Sequence, residues 1–160
     1  MTARPRLPWF SVNTAINNVS GMTLEEITFI LQRYPSLQEI GEPALLFEKK
    51  YGVNAYFILG VASQESGFGT SLLAGRKNNL FGLGAFDVNS FESALTFSTK
   101  SDSVEYFCVL IARYQEDGRN TPASINKRYA TDETWASRVV SLMNSYASQV
   151  NNKRESLGAG

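Results

Sequence analysis

Glu65 is the residue whose surroundings most favour chemistry. It lies in the run Ser63-Gln64-Glu65-Ser66-Gly67-Phe68-Gly69-Thr70-Ser71, at the end of an almost wholly apolar segment. That segment opens on Asn54, a good helix N-cap, and Gly67 is suited to close the helix, so Glu65 falls in its last turn. Ile58, Val61 and Ala62 lie seven, four and three positions earlier and share its face. Burial and the negative end of the helix dipole both disfavour the charged carboxylate, which raises its pKa. A glutamate that keeps its proton near neutral pH can act as a general acid. The plainer reading is a solvated carboxylate at a helix end. Gly67, Gly69, Thr70 and Ser71 argue against it, because a glycine-rich turn lets backbone approach a ligand closely.

Other chemistries are removed by composition. The chain has no histidine, which takes away Ser-His-Asp and Cys-His catalysis and nearly every zinc-hydrolase arrangement. The one cysteine, Cys108, sits in the apolar run Tyr106 to Ile111 and reads as an inert buried thiol. Fifteen basic and fifteen acidic residues cancel, and the basic pairs are scattered, so nucleic acid is not an expected partner. No metal and no cofactor are expected. A hydrophobic content of 43% with 19% charged residues describes a folded chain, and 160 residues suit one domain. No stretch approaches membrane-spanning length. Leu7-Pro8-Trp9-Phe10 is shorter than the ~7 to 15 apolar residues of a signal peptide, so none is expected in this chain.

The elements that would position Glu65 are mostly helical. Residues 1–21 read as an irregular leader rich in Pro and Asn. Thr23 and Glu26 have capping-box spacing ahead of the stripe Ile27, Ile30, Leu31, and Pro35 stops that helix. A second helix is expected from Pro43 to Gly52, followed by the Glu65 helix. Between Gly67 and Asp102 glycines concentrate and helical periodicity fades, which predicts loops, a short helix near Leu72 and a small hairpin forming one wall of a cleft. Asp102 with Glu105 is expected to cap an apolar core helix ending near Gly118. Thr121-Pro122 starts a short helix to Tyr129, and a final helix over 132–150 places Trp135, Val139, Leu142, Met143, Tyr146 and Val150 on one face, with Trp135 in the core. Residues 151–160 read as a frayed tail. The fold class is therefore α+β, mainly α, with a small irregular or β lobe on a domain spanning 22–150.

Four local runs, Tyr51-Gly52-Val53-Asn54, Glu65 to Ser71, Asn79-Leu80-Phe81-Gly82-Leu83-Gly84-Ala85-Phe86-Asp87 and Tyr129-Ala130-Thr131-Asp132-Glu133-Thr134-Trp135-Ala136, occur in an order that resembles bacterial and phage peptidoglycan glucosaminidases of the autolysin and flagellar type, over roughly residues 22 to 147. The resemblance implies a lysozyme-like domain acting on peptidoglycan glycan strands at the bacterial cell wall, alone or with other lysin or virion components. It assigns Glu65 as catalytic acid and Tyr129 as support for the reacting centre, with Asn79, Phe81 and Asp87 shaping or binding at the cleft. Glycosidic hydrolysis usually needs a second carboxylate. Asp87 and Glu92 fall in the expected lobe, although Asp87 suits a turn equally well; Asp132 is better explained as a helix-start residue. The substrate's own N-acetyl group is the alternative nucleophile. Two rival functions stay open from sequence: a muramidase or lytic transglycosylase, against which the absence of a Gly-Leu-Met-Gln run argues, and a catalytically silent wall-binding or virion module.

Overall fold

The computed structural model describes residues 9–85 and 90–159, with the side chains of Ser90 and Ala159 left aside. Among these residues eight α-helices follow in order: α1 Leu24–Leu31, α2 Gly41–Tyr51, α3 Ala55–Ser66, α4 Leu72–Lys77, α5 Ser90–Ser93, α6 Lys100–Glu116, α7 Pro122–Tyr129 and α8 Trp135–Ala159, with a 3-10 turn at Pro35–Ile40 between α1 and α2. The centre is α3, which is buried from Ala55 to Ser63 and therefore carries apolar or small residues on every side. It packs chiefly on α8, while α2 packs on α6, α7 on α8, and α1 on both α2 and α8. The crossing of α3 and α8 is close because Gly60 has no side chain: a Cβ there would lie 3.1 Å from the Met143 Cγ and the Val139 carbonyl oxygen.

Local signals act as the sequence predicts at most helix ends. Thr23 and Glu26 form a reciprocal capping box. Asn54 caps α3 and Gly52 ends α2 in the left-handed region. Thr121 caps α7 with Pro122 in its first turn. The α6 cap differs. Thr99, in extended conformation, accepts from the Asp102 N–H at 3.1 Å, so the helix begins at Lys100 and Asp102 is already inside it. Glu105 is used across helices instead, accepting from the Tyr51 hydroxyl at 2.7 Å and from Lys50 at 3.2 Å.

Both ends of the expected domain need correction. Residues 9–23, ahead of α1, are irregular but belong to the body of the fold. Ile16 is fully buried, its N–H donates to Asn120 and its carbonyl accepts from Asn54, both at 2.8 Å. Phe10 exchanges two hydrogen bonds with the Asn144 amide. At the other end, residues 151–159 continue α8 and are not a frayed tail. Ala147, Val150, Asn151 and Arg154 share one helical face, and all four are buried. Arg154 and Glu26 pair through two bonds of 2.8 and 3.0 Å, each side chain only 5% exposed. The polar run Asn151 to Glu155 reads as a tail only because its buried partner lies 128 residues earlier.

The lobe between α4 and α6 is irregular, and no strand occurs among the described residues. Side chains do the work that a hairpin ladder would do. The Asn78 amide donates to the carbonyls of Phe97 and Ser98, Lys77 donates to the carbonyls of Phe91, Glu92 and Ala94, and only isolated backbone bonds such as Leu95 to Leu83 cross the lobe.

Candidate active site

Glu65 is half-buried in the last turn of α3. Its placement starts at the other end of that helix. Glu48, 3% exposed on α2, accepts from the N–H groups of Ser20 at 2.6 Å and of Ala55, the first residue of α3, at 2.8 Å. A buried carboxylate at a helix N-terminus satisfies an otherwise unpaired donor and complements the dipole. The far end of α3 stops on three successive left-handed residues, Gly67 (φ 56°), Phe68 (φ 57°) and Gly69 (φ 84°). Phe68 is costly there for a residue with a Cβ. It is held by stacking on Tyr34, with ring centroids 4.7 Å apart and planes 16° apart. The Ser66 hydroxyl donates to the Ala62 carbonyl and accepts from the Gly69 N–H, which ties the turn back to the helix.

Gly69 cannot be replaced without moving the turn. A Cβ would lie 2.7 Å from the Ser36 carbonyl oxygen, on a backbone that also disfavours side chains. Gly69→Ala is expected to destabilise the protein by more than about 1 kcal/mol, read by chemical denaturation, and to lower activity further by shifting the turn that follows the acid.

The Glu65 carboxyl is raised above its ordinary value by burial, and the Trp135 indole, which donates to Oε1 at 2.6 Å, partly opposes the rise. Oε2 has no protein partner among the described residues. Trp135 is 3% exposed in the first turn of α8, edge-on to Phe57 and 5.0 Å from the Tyr129 ring. Core burial was expected of it; contact with the acid was not. The signal that could have revealed this is the indole N–H itself, because a buried tryptophan nitrogen must find an acceptor.

Tyr129 closes α7 beside this pair. Its hydroxyl donates to the Phe81 carbonyl at 2.8 Å, and its ring meets Phe107 edge-on. Burial raises the phenol well above its ordinary value, and the nearby Glu65 carboxylate adds to the effect, so it remains a neutral phenol. Its oxygen keeps lone pairs that can accept. Asn79 and Phe81 are placed differently from binding residues. Asn79 is 1% exposed, its amide donates to the carbonyls of Leu83 and Leu95, and its oxygen accepts from Phe81 and Leu83. Phe81 is 2% exposed and stacked on Phe107 at 4.2 Å. With no spare donor or open ring face to offer, both support the site from beneath. Asp87 lies outside the described residues. Glu92 is exposed on α5, and Asp132 holds the start of α8 by accepting from Thr134. A cavity of ≈780 Å³ opens beside Tyr129, bounded by Val12, Ala123, Lys127, Ala130, Thr131 and Glu133; Glu65 is not among the residues lining it. Cys108 is buried with its thiol pushed up, as an inert core residue should be. Among the described residues no cluster could hold a metal ion, and no helix is long and apolar enough to cross a membrane.

Residues 41–148, which contain α3, the Asn79 turn, Tyr129 and Trp135, match the glucosaminidase family model, described as mannosyl-glycoprotein endo-β-N-acetylglucosaminidase. The chain belongs to the glucosaminidase family. Glucosaminidase relatives from two strains of Streptococcus pneumoniae, provisionally named endo-β-N-acetylglucosaminidases, are 31% identical over 136 residues. That alignment takes in 81% of this chain and only 21% and 19% of theirs, so the chain spans about a fifth of the length of the curated relatives it matches. Among solved glucosaminidase-like structures, Staphylococcus aureus autolysin E superposes with a TM-score of 0.73 at 25% identity, covering 86% of this chain and 72% of that one; it is a catalytic glutamate-to-alanine variant bound to the disaccharide NAG-NAM. The same autolysin with the muropeptide NAM-L-Ala-D-iGlu gives 0.72 at 26% identity, with the same coverage. Staphylococcus aureus glucosaminidase B shares the fold at 16% identity, with a TM-score of 0.65 over 86% of this chain and 64% of that one. These neighbours bear out the mainly helical, lysozyme-like class expected from the sequence.

Proposed function

We propose that this glucosaminidase domain is an endo-β-N-acetylglucosaminidase of peptidoglycan, cleaving the bond between N-acetylglucosamine and N-acetylmuramic acid at the bacterial cell wall, with Glu65 as general acid. The observation that carries the reading is the state of Glu65. It is half-buried, raised in pKa by that burial, anchored through Oε1 and, among the described residues, without a protein partner at Oε2. Such a group holds a proton and can deliver it to a leaving glycosidic oxygen. The glycan ligands of the autolysin neighbours support a peptidoglycan substrate over the glycoprotein of the family description. Tyr129, facing Glu65 with accepting lone pairs, suits an acetamido N–H on the sugar at the cut bond.

The reaction needs a partner for the acid. Burial and the Trp135 hydrogen bond account for the Glu65 shift, with no contribution from a second described carboxylate. Asp87 and Glu92 remain the candidate carboxylates, and the substrate acetamido oxygen is the third possible nucleophile. If a carboxylate serves, one of Asp87→Asn and Glu92→Gln loses about 100-fold or more in turnover. Near-normal rates from both variants assign the step to the acetamido group.

The test of the activity is digestion of purified peptidoglycan by wild type and Glu65→Gln, with borohydride reduction and tandem mass spectrometry of the fragments. Reduced glucosamine ends from wild type alone are expected. Reduced muramic acid or anhydro ends would replace the proposal with muramidase or transglycosylase cleavage. No soluble fragments from either protein would replace it with a glycan-binding module.

A further inference from the structure

We propose that Trp135 is a positioning residue for the Glu65 acid, fixing which carboxyl oxygen carries the proton and stabilising the carboxylate left when that proton departs. The inference rests on the reading of Glu65 as general acid. An indole nitrogen can only donate. With its N–H on Oε1 at 2.6 Å, the indole favours a protonated Glu65 whose carbonyl oxygen, the better acceptor, is Oε1 and whose hydrogen is on Oε2, the oxygen with no protein partner among the described residues. As the proton moves from Oε2 to the glycosidic oxygen, the electron pair of the breaking bond stays with that oxygen and Glu65 becomes a carboxylate. The indole bond then becomes charge-assisted and strengthens, so it favours the transition state over the resting acid.

The indole is held well enough to do this. The Trp135 ring is buried and edge-on to Phe57 on α3 at 6.2 Å, with the Tyr129 ring of α7 5.0 Å away. Its backbone is fixed too: the Trp135 N–H donates to the Asp132 carbonyl at 3.2 Å, and the Asn126 side chain accepts from the Ala136 N–H at 3.0 Å. The titratable group facing Glu65 from α7 is Tyr129, a neutral phenol over the working range. From α8 the facing group is the uncharged indole. The proton position is therefore set by a donor that does not itself titrate.

Trp135→Phe keeps an aromatic ring and removes the N–H. With soluble glycan fragments as substrate, kcat is expected to fall on the order of 100-fold with KM nearly unchanged. The alkaline limb of the pH profile should move to higher pH, because the contact that lowers the Glu65 pKa is gone. Phe57→Leu serves as the packing control and should leave that limb in place. Equal losses in both variants with no movement of the limb would overturn the proposal, leaving Trp135 as packing alone. A second measurement needs no substitution at Trp135. Of the two indole N–H resonances, Trp9 being 57% exposed, one should shift as Glu65 ionises, and that shift should vanish in Glu65→Gln. Two indole signals indifferent to pH would equally overturn it. An active Glu65→Gln enzyme would instead remove the reading of the acid itself.

Discussion

Glu65→Gln is expected to lower turnover of peptidoglycan glycan by about 1,000-fold or more while leaving the protein folded. Glutamine keeps the shape, and its carbonyl oxygen can still accept from the Trp135 indole, so the loss isolates the proton. The same substitution should raise stability at neutral pH. Burial lifts the Glu65 pKa above its unfolded value, so the folded state holds this proton more tightly than the unfolded state does. Stability from this group is therefore highest at low pH and falls as pH rises from the ordinary carboxylate range through the raised value. Glutamine has no such loss. Its melting temperature should exceed that of wild type at pH 7, and the two should converge near pH 4. A variant less stable at pH 7, or one that remains active, would contradict the assignment.

Arg154→Met should be the most damaging single change far from the acid, destabilising the protein by about 3 kcal/mol or more. It leaves the Glu26 carboxylate buried without the guanidinium that pairs with it through two bonds. For a chain of this size that corresponds to a fall in melting temperature of roughly 10 °C. Glu26→Met with Arg154→Met together should recover much of the loss, since an apolar pair can replace a buried ion pair of similar volume. Recovery will be incomplete because Glu26 also accepts from the Thr23 N–H in the α1 capping box, a contact worth about 1 kcal/mol. A wild-type melting curve for Arg154→Met would mean that α8 beyond Val150 contributes nothing to the fold.

What the sequence reveals here divides by range. Caps and stops act within a few residues, so Thr23, Asn54, Gly52, Gly67 and Thr121 could be read directly, and with them the placement of Glu65 at a helix end. The α6 cap was misplaced by three residues because Thr99 and Asp102 are both good caps and nothing local ranks them. Buried polar partners could not be read, since their mates are distant: Glu26 with Arg154, Glu65 with Trp135, and Glu48 with Ser20. Glu48 offers a hint in hindsight, as a charged residue on the apolar face of α2 that carries Ala44 and Phe47. The resemblance puts Asn79 and Phe81 at the cleft, but spacing cannot say whether a side chain faces substrate or core. The structure turns both inward.

The Gly67 to Gly69 turn joins parts of the chain that are far apart in sequence. Its Phe68 is stacked on Tyr34 and its Gly69 lies against Ser36, about 30 residues upstream, while Glu65 accepts from Trp135, 70 residues downstream. Helix α3 can form from its own caps, yet its last turn acquires a working geometry only after both distant segments have docked. Docking over such separations must first meet the entropy of closing the intervening loops, whereas the helix forms from local contacts. On the role proposed for Glu65, catalytic competence therefore waits for both docking events, and a half-folded domain carries Glu65 without its Trp135 partner.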